Sequence, residues 1–224
     1  MQILYQDDQI LVCMKPAGVL STDEPGGLSS LLREELGSDV QELRTVHRLD
    51  RVVSGLMVLA KSAEAASELS RQMRDGIFQK EYLTVIHWRP AEPCGRMTDL
   101  LRRDPAERKT YVTKTPGKDT RLAVLDYETL ASTEGLSLLR IHLQTGRTHQ
   151  IRAQLSSRGL PIVGDQKYSR WPDECQIALF SCRLQFQHPQ TKNIVTFSAL
   201  PPDIFPWTTF SSILHTNVVD NGNE

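Results

Sequence analysis

The residues best suited to chemistry are His47-Arg48-Leu49-Asp50, which come shortly before an apolar segment, Gly55 to Ala60. Reactive groups commonly lie on loops beside rigid strands. Asp50 stands between Arg48 and Arg51, and neighbouring cations favour an ionised carboxylate, so Asp50 could act as a nucleophile at neutral pH. The alternative is that Asp50 only forms an Asx turn and pairs with an arginine. On this tetrapeptide alone, the turn is the favoured interpretation.

Two further segments carry groups that could face a substrate. Leu143 to Arg152 (LQTGRTHQIR) places two arginines and a histidine around a predicted helix start, where Arg147 could pair with a carboxylate or a phosphate. The segment Gln79 to Leu83 alternates in the manner of a strand, with Tyr82 on one face. A buried tyrosine usually belongs to the core, but a flat ring can also stack on an extruded base, so both interpretations stay open.

The elements that must position these groups are predominantly strands. Residues 2 to 14 predict a hairpin that stops at Lys15-Pro16, residues 28 to 36 a short helix, and Gly55 to Ala60 a strand covered on both faces. A helix should follow, with Ser62 as N-cap and Gly76 just past its end. Further strands are predicted at 78–86, 110–114, 121–130, 136–143, 178–186 and 194–197.

The second half is expected to contain one helix among its strands. Thr148 can cap it, Ile151 and Leu155 share a face, and Gly159 with Pro161 ends it. The whole pattern predicts an α+β fold with a large, mixed, mainly antiparallel sheet flanked by helices. At 224 residues, without a linker or repeat, we expect a single domain spanning 1–224 whose residues after about 210 form a frayed tail.

The charge distribution limits the classes of partner. The chain has 26 Lys and Arg against 27 Asp and Glu, which excludes a uniformly cationic nucleic-acid coat. Residues 1–42 carry a net charge of −6, whereas residues 96–121 carry +4 and residues 140–170 carry +5. A polyanion would bind at those two basic segments, although a charge run is usually only a solvated face. The early apolar run from Ile10 to Met14 is too short for a signal peptide or membrane span, which predicts a cytoplasmic protein.

These motifs resemble, in content and order, those of the RluA-type pseudouridine synthases. The matching strings are HRLDRVVSGLMVLAK, LQTGRTHQIR, KEYLTV and the opening ILYQDDQILVCMKPAG, and the resemblance runs from about residue 2 to residue 200. Several short motifs in the family's order are far more specific than any one of them. The resemblance implies the pseudouridine synthase catalytic fold and isomerisation of uridine to pseudouridine in structured RNA, either ribosomal or transfer RNA.

The resemblance also implies a role for particular residues. The nucleophilic aspartate falls on Asp50, and the arginine two residues before it falls on Arg48. The tyrosine that stacks on the base falls on Tyr82, the arginine that pairs with the aspartate falls on Arg147, and the apolar residue that completes the pocket wall falls on Ile151. No cofactor and no metal are implied, and the four cysteines show no zinc-binding spacing.

The sequence departs from the family pattern at three positions. Val53 stands where the family usually has threonine, Gln154 occupies the position of a common histidine, and Ser169 follows the tyrosine of GDxxY in place of glycine. None of them is the presumed nucleophile, so they affect packing and RNA contacts rather than chemistry. Many relatives carry an additional RNA-binding domain before the catalytic one, and we expect this chain to hold RNA with the catalytic domain itself, as a monomer.

Two other functions compete with the synthase. One is an inactive relative that binds RNA or acts as an RNA chaperone, which the joint presence of Asp50, Tyr82 and Arg147 disfavours. The other is an aspartate-dependent hydrolase of a small metabolite, for which the basic segments would be unnecessary. The sequence leaves open which RNA is modified, and whether Asp50 attacks carbon 1′ of the ribose or carbon 6 of the uracil. We expect neither DNA nor a membrane as partner.

Overall fold

The computed structural model describes residues 1–37 and 42–219. The chain divides into two compact units, one formed chiefly by Met1–Lys80 and Phe180–Leu200, the other by Glu81–Leu179 and Pro201–Asn217. In the first unit the strand order is β1-β2-β4-β10, with β3 beside β4 and β11 beside β10. Its elements are β1 (Ile3–Gln6), β2 (Ile10–Lys15), α1 (Leu28–Leu36), β3 (Arg44–Thr45), β4 (Ser54–Ala60), α2 (Ala63–Arg74), β10 (Leu179–Gln187) and β11 (Ile194–Ser198).

The core of the first unit follows from the predicted pattern. β2 pairs antiparallel with β4, and alternate residues of both strands pack against α2. The side-chain oxygen of Ser62 accepts a hydrogen bond from the Ala65 amide at 3.0 Å, and Gly76 has φ +74° just past the helix end, so both predicted helix boundaries are confirmed. The fully buried residues of this core include Ile10, Val12, Leu56, Val58 and Leu69.

The second unit is an antiparallel sheet in the order β5-β9-β8-β6-β7. Its elements are β5 (Gln79–His87), β6 (Cys94–Asp104), β7 (Lys109–Thr113), β8 (Thr120–Ser132), β9 (Leu136–Leu143), α3 (Gln150–Ser157), a short 3₁₀ helix (Trp207–Phe210) and α4 (Ser211–Val219). In the first unit β4 and β10 run parallel, while the other strand pairs of that unit are antiparallel. The predicted α+β fold with a mixed, mainly antiparallel sheet is confirmed.

Two elements of the second unit differ from the sequence-based expectation. β6 overlaps the basic segment 96–121, whose charges suggested a solvated segment rather than a strand. It pairs with β7 on one edge and with β8 on the other. Of its residues, only Met97 and Leu101 are buried. After residue 210, where a frayed tail is predicted, the structure has α4, in which Leu214 is buried. Residues 220–224 lie outside the described residues, and the single-domain boundary stays a prediction. No helix in the described part of the chain is long and apolar enough to cross a membrane.

Gly55 lies at the start of β4, where β10 runs parallel beside it. Its φ is +127°, and a Cβ at this position would lie 2.5 Å from both the amide nitrogen and the carbonyl oxygen of Ser181. Neither backbone atom can yield without breaking the pairing of the two strands. We therefore expect Gly55→Ala to lower the free energy of unfolding by at least about 2 kcal/mol. Urea denaturation measures the loss.

Gly117→Ala is the matched control for Gly55→Ala. The closest atom to a Cβ at Gly117 would be Thr120 Cγ2 at 4.0 Å, which is ordinary van der Waals contact, so this substitution should change stability little. Equal stability of the Gly55→Ala variant and the wild type would show that β4 and β10 are not held at this distance.

Candidate active site

In the loop that carries Asp50, His47 and Leu49 are bound to the rest of the protein and alternate with the candidate site residues Arg48 and Asp50. His47 and Leu49 are buried, Arg48 is exposed and Asp50 is half-buried. The Ser21 hydroxyl accepts a hydrogen bond from the Leu49 amide at 3.1 Å and donates one to the Leu49 carbonyl at 2.8 Å. Because both backbone polar groups of Leu49 are bound by one buried side chain, the residues on either side of it have a fixed direction.

The turn that follows Asp50 is closed by the main chain. The Val53 amide donates to the Asp50 carbonyl oxygen at 3.0 Å, and the Gly18 amide donates to the Arg51 carbonyl oxygen at 2.7 Å. Arg51 Nε donates in turn to the Gly18 carbonyl oxygen at 2.8 Å, which gives Arg51 a structural role. Val53, a departure from the family pattern, is buried and packs as an apolar side chain. Main-chain hydrogen bonds and the Arg51 side chain therefore close this turn.

A buried lysine lies under the same loop. Lys15 has no exposed surface, and its Nζ donates to the carbonyl oxygens of Pro16 at 2.9 Å, Val19 at 2.8 Å and Arg51 at 3.3 Å. Burial lowers the pKa of Lys15 to about 8, and the negative charge of Asp50 acts in the opposite direction. Lys15 thus remains largely protonated at neutral pH and places a positive charge near Asp50. The sequence indicated only that a strand ends here.

His47 joins the start of this loop to β4. Its Nε2 accepts a hydrogen bond from the Val58 amide at 3.1 Å, and its ring lies 5.7 Å from that of Phe78. Burial, assisted by the positive charge of Lys80, lowers the pKa of His47 to about 3. The neutral ring therefore accepts at Nε2 and carries its proton on Nδ1. His47 supports the loop rather than exchanging protons near pH 7.

The low pKa of His47 predicts a loss of stability in acid. The unfolded chain binds a proton on this residue below about pH 6.5, whereas the folded chain binds it only near pH 3. This contribution to stability is complete above about pH 6.5 and is lost as the pH falls toward 3, at a slope approaching about 1.4 kcal/mol per pH unit. Urea denaturation of the wild type and of His47→Gln at several pH values isolates the slope. Parallel curves for the two proteins would contradict this assignment.

In the second unit, Gln150 fixes the turn that presents Arg147. The Gln150 Oε1 accepts hydrogen bonds from Thr145 Oγ1 at 2.8 Å and from the Arg147 amide at 3.0 Å, while Nε2 donates to the Val124 carbonyl oxygen at 3.1 Å. Arg147 itself is exposed, and its Nε donates to the Leu122 carbonyl oxygen at 3.0 Å. One buried carboxamide thus ties the turn to β8 and leaves part of the guanidinium open to a ligand.

The helix after this turn begins one residue later than predicted. The N-cap of α3 is His149 in the left-handed conformation, with φ 55°, so the prediction that Thr148 caps the helix is wrong. His149 Nδ1 lies 2.9 Å from the Tyr168 hydroxyl, which accepts a hydrogen bond from the Thr110 amide at 2.7 Å. This tertiary contact favours a backbone conformation that histidine adopts at some cost. Ile151 lies in the first turn of α3 and is 5% exposed.

A buried ion pair anchors α3 to the G-D-x-x-Y segment. Arg152 Nε and Nη2 donate to the two carboxylate oxygens of Asp165, both at 2.8 Å, and the guanidinium lies 5.0 Å from the centre of the Tyr168 ring. Gln154, another departure from the family pattern, is fully buried and donates to Asp99 Oδ2 at 2.6 Å. The sequence did not predict these contacts of Arg152 and Gln154, although the G-D-x-x-Y motif was the signal that could have indicated a partner for Arg152.

Tyr82 lies on β5 opposite Ile141 of β9 and is only 5% exposed. Two residues along the strand, Thr84 is fully buried and donates its hydroxyl to the Ala178 carbonyl oxygen at 2.8 Å. Tyr82 thus has the burial of a core residue in the absence of RNA. Its role in stacking stays a prediction.

The structure places the five predicted site residues in two groups. Arg48 and Asp50 share one loop of the first unit, while Tyr82, Arg147 and Ile151 belong to the second unit, on β5, on the turn before α3 and on α3. Among the described residues, no group of three or more His, Cys, Asp or Glu side chains could hold a metal ion.

Comparison with known proteins identifies the family. The family model described as RNA pseudouridylate synthase matches residues 9–157. The uncharacterized RNA pseudouridine synthase YlyB of Bacillus subtilis is 32% identical over 216 residues, covering 91% of this chain and 70% of the relative. The dual-specificity RNA pseudouridine synthase RluA of Escherichia coli O157:H7 is 32% identical over 209 residues, covering 88% and 91%.

A solved structure shows the same fold. Human RNA Pseudouridylate Synthase Domain Containing 4 superposes with a TM-score of 0.76 at 24% identity, covering 96% of this chain and 92% of the human one. The resemblance predicted from the motifs is thereby confirmed, and the chain belongs to the RNA pseudouridine synthase family, whose members are isomerases that act on uridines of RNA.

Proposed function

We propose that this enzyme converts specific uridines of structured ribosomal or transfer RNA to pseudouridine, with Asp50 as the nucleophile. In this isomerisation the bond between N1 of uracil and carbon 1′ of ribose breaks, and a bond from carbon 5 to carbon 1′ forms. Carbon 5 loses its proton and N1 gains one, so the reaction needs no oxidant and no water. A uridine inside folded RNA must first leave its stack, at a cost of a few kcal/mol.

The observation that carries the proposal is the construction of the Asp50 loop. His47, Leu49 and Arg51 are all bound to the protein, and the alternation between them turns Arg48 and Asp50 away from the core. The buried ammonium of Lys15 places a positive charge near the Asp50 carboxylate. A loop that is fixed at every second residue and supported by a buried cation is what a carboxylate nucleophile requires.

The other site residues serve the flipped nucleotide. Arg48 is long, planar and exposed, so it can stack or donate hydrogen bonds where the uracil was. From the resemblance to the family, we propose that Tyr82 covers the extruded ring, that Ile151 completes the apolar wall, and that Arg147 pairs with the Asp50 carboxylate. Attack by Asp50 at carbon 1′ and attack at carbon 6 both fit these roles.

The RNA backbone is held by the basic segments of the catalytic domain. Arg102, Arg103 and Arg121 are exposed on β6 and β8, within the segment of net charge +4. Phosphate neutralisation at such residues makes affinity fall with salt. We further propose that the enzyme works as a monomer in the cytoplasm, on RNA and not on DNA or a membrane. Incubating the purified protein with total RNA and mapping pseudouridines identifies the target, and a protein that modifies no RNA would contradict the proposal.

Two substitutions of Tyr82 separate its ring from its hydroxyl. Tyr82→Phe keeps the stacking surface, whereas Tyr82→Ala removes it, and base–aromatic stacking is worth about 1–3 kcal/mol. We expect kcat/KM on the target RNA to fall by about tenfold or more in the alanine variant and by much less in the phenylalanine variant. Equal losses in both variants would assign the essential role to the hydroxyl, for example in proton transfer.

A further inference from the structure

The second unit carries an exposed pair of tryptophans that the pseudouridine synthase chemistry does not use. Trp88 follows β5 and is 51% exposed, and Trp171, beyond the G-D-x-x-Y segment, is 48% exposed. Their rings lie 5.7 Å apart, edge to face at 70°. A single exposed apolar side chain is common on protein surfaces, whereas two exposed indoles in ring contact form one continuous apolar surface. We name Trp88 and Trp171, with their chain neighbours Arg89 and Arg170, the tryptophan patch.

Hydrogen bonds hold the backbone of both tryptophans in place. Trp88 has φ 70°, a conformation that bulky residues rarely adopt, and its amide donates to the Gly135 carbonyl oxygen at 2.8 Å. The amide of Trp171 donates to Ser169 Oγ at 3.0 Å. Ser169 replaces the glycine usual in the family, and this side-chain hydrogen bond would be absent with glycine. The departure at 169 thus supports Trp171.

His87 links the tryptophan patch to the rest of the unit. Its ring lies 5.5 Å from that of Trp171, and its Nε2 lies 2.9 Å from Asp173 Oδ2. The same carboxylate oxygen accepts a hydrogen bond from the Gly164 amide at 2.9 Å. These contacts join His87 of β5, the Asp173 carboxylate and the Trp171 ring, so we expect the indoles to be ordered before a ligand binds. A preordered surface spends less of its binding energy on conformational entropy.

The charges beside the indoles favour an anionic ligand. Residues 86–90 and 166–172, which carry both tryptophans, contain three basic residues and no acidic one. The next carboxylate along the chain, that of Asp173, is engaged by His87 and Gly164. Exposed carboxylates lie farther along the chain, at Glu92 and Glu174, and in the turn that Trp88 contacts, at Glu134. Aromatic faces beside arginines match the stacked bases and phosphates of a single-stranded nucleic acid.

We propose that the tryptophan patch binds a single-stranded segment of the substrate RNA outside the target uridine, with bases stacked on Trp88 and Trp171 and phosphates paired with Arg89 and Arg170. This inference rests on the action of the enzyme on RNA and adds a second point of contact with it. The patch contributes affinity and leaves the chemical step unchanged.

Tryptophan fluorescence tests the proposal with the whole protein. The chain has three tryptophans, and the third, Trp207, is 4% exposed, so quenching by a short single-stranded oligoadenylate reports on the patch. We expect the oligonucleotide to quench the wild type. A competition assay with labelled oligoadenylate should show about tenfold weaker binding for Trp88→Ala and for Trp171→Ala, the effect of one lost stacking contact. Trp→Phe variants should retain most of the affinity, and Ser169→Gly should weaken it less than Trp171→Ala does.

Kinetics separate this proposal from the one on Asp50. On the target RNA, the Trp88→Ala/Trp171→Ala double variant should raise KM and keep the wild-type kcat, while Asp50→Asn should keep full quenching by oligoadenylate. Ile194→Ala, which truncates another exposed apolar side chain, is the control and should change nothing. Wild-type oligonucleotide affinity in the double variant would overturn the proposal. A concentration-dependent dimer that forms in the wild type and is lost in the double variant would also overturn it, because the patch would then bind a second copy of this chain.

Discussion

Replacement of Asp50 by Asn is expected to reduce pseudouridine formation by about a thousandfold or more, because only the carboxylate can form the covalent intermediate. Asparagine keeps the shape of the side chain and most of its hydrogen-bonding reach. Ser21, the Val53 amide and the Gly18 amide hold the loop through hydrogen bonds to backbone carbonyl oxygens. Affinity for the target RNA should therefore stay within a few-fold of the wild type.

The measurement is a single-turnover assay with purified protein and target RNA, together with a binding titration. Asp203→Asn, an exposed aspartate on a different segment, is the control and should be fully active. The buried cation of Lys15 loses a nearby negative charge in Asp50→Asn, so a modest fall in thermal stability is also expected. Loss of RNA binding in parallel with loss of activity would assign Asp50 to binding and remove it from the chemical step.

Replacement of Asp165 by Asn is expected to cause the largest loss of stability, about 3–5 kcal/mol, because it removes the carboxylate that pairs with the buried guanidinium of Arg152 through two hydrogen bonds. The Arg152 and Asp165 side chains are 6% and 0% exposed and form two hydrogen bonds of 2.8 Å. Asp165 also accepts hydrogen bonds from the amides of Lys167 and Tyr168, so the turn after it should loosen.

Urea denaturation measures this loss, and a double variant tests its cause. Arg152→Met/Asp165→Leu removes both charges and should recover part of the stability lost in Asp165→Asn. The exposed pair Arg96–Asp126 supplies the control, because Asp126→Asn should cost less than about 1 kcal/mol. A similarly small loss for Asp165→Asn would show that the pair does not anchor α3.

The motifs predicted the candidate nucleophile but not the residues that hold it. Asp50 could be selected because its neighbours in the chain and the family order of the motifs point to it. Ser21 and Lys15 act on backbone carbonyls and amides of other segments, and a side chain that binds a distant backbone leaves no pattern in the sequence. Gln150 is the same case in the second unit, where it binds the turn before α3.

The missed elements have a similar physical reason. Periodicity predicted β4 and α2 well because their buried faces are continuous. β6 was missed because only two of its residues are buried and its charges suggested a solvated segment. The helix begins after His149, whose ring contacts the Tyr168 hydroxyl, a group 19 positions farther along the chain. In each case a tertiary contact, rather than local propensity, decides the structure.

If Asp50 carries the isomerisation of uridine in RNA, the pseudouridines that this enzyme makes in cells should depend on the Asp50 carboxylate. Total RNA is compared from cells that lack this protein and from the same cells supplied with the wild type or with Asp50→Asn at equal protein levels. We expect specific pseudouridines to disappear without the protein, to return with the wild type and to stay absent with Asp50→Asn. Restoration of those pseudouridines by the Asp50→Asn protein would show that Asp50 is not the nucleophile.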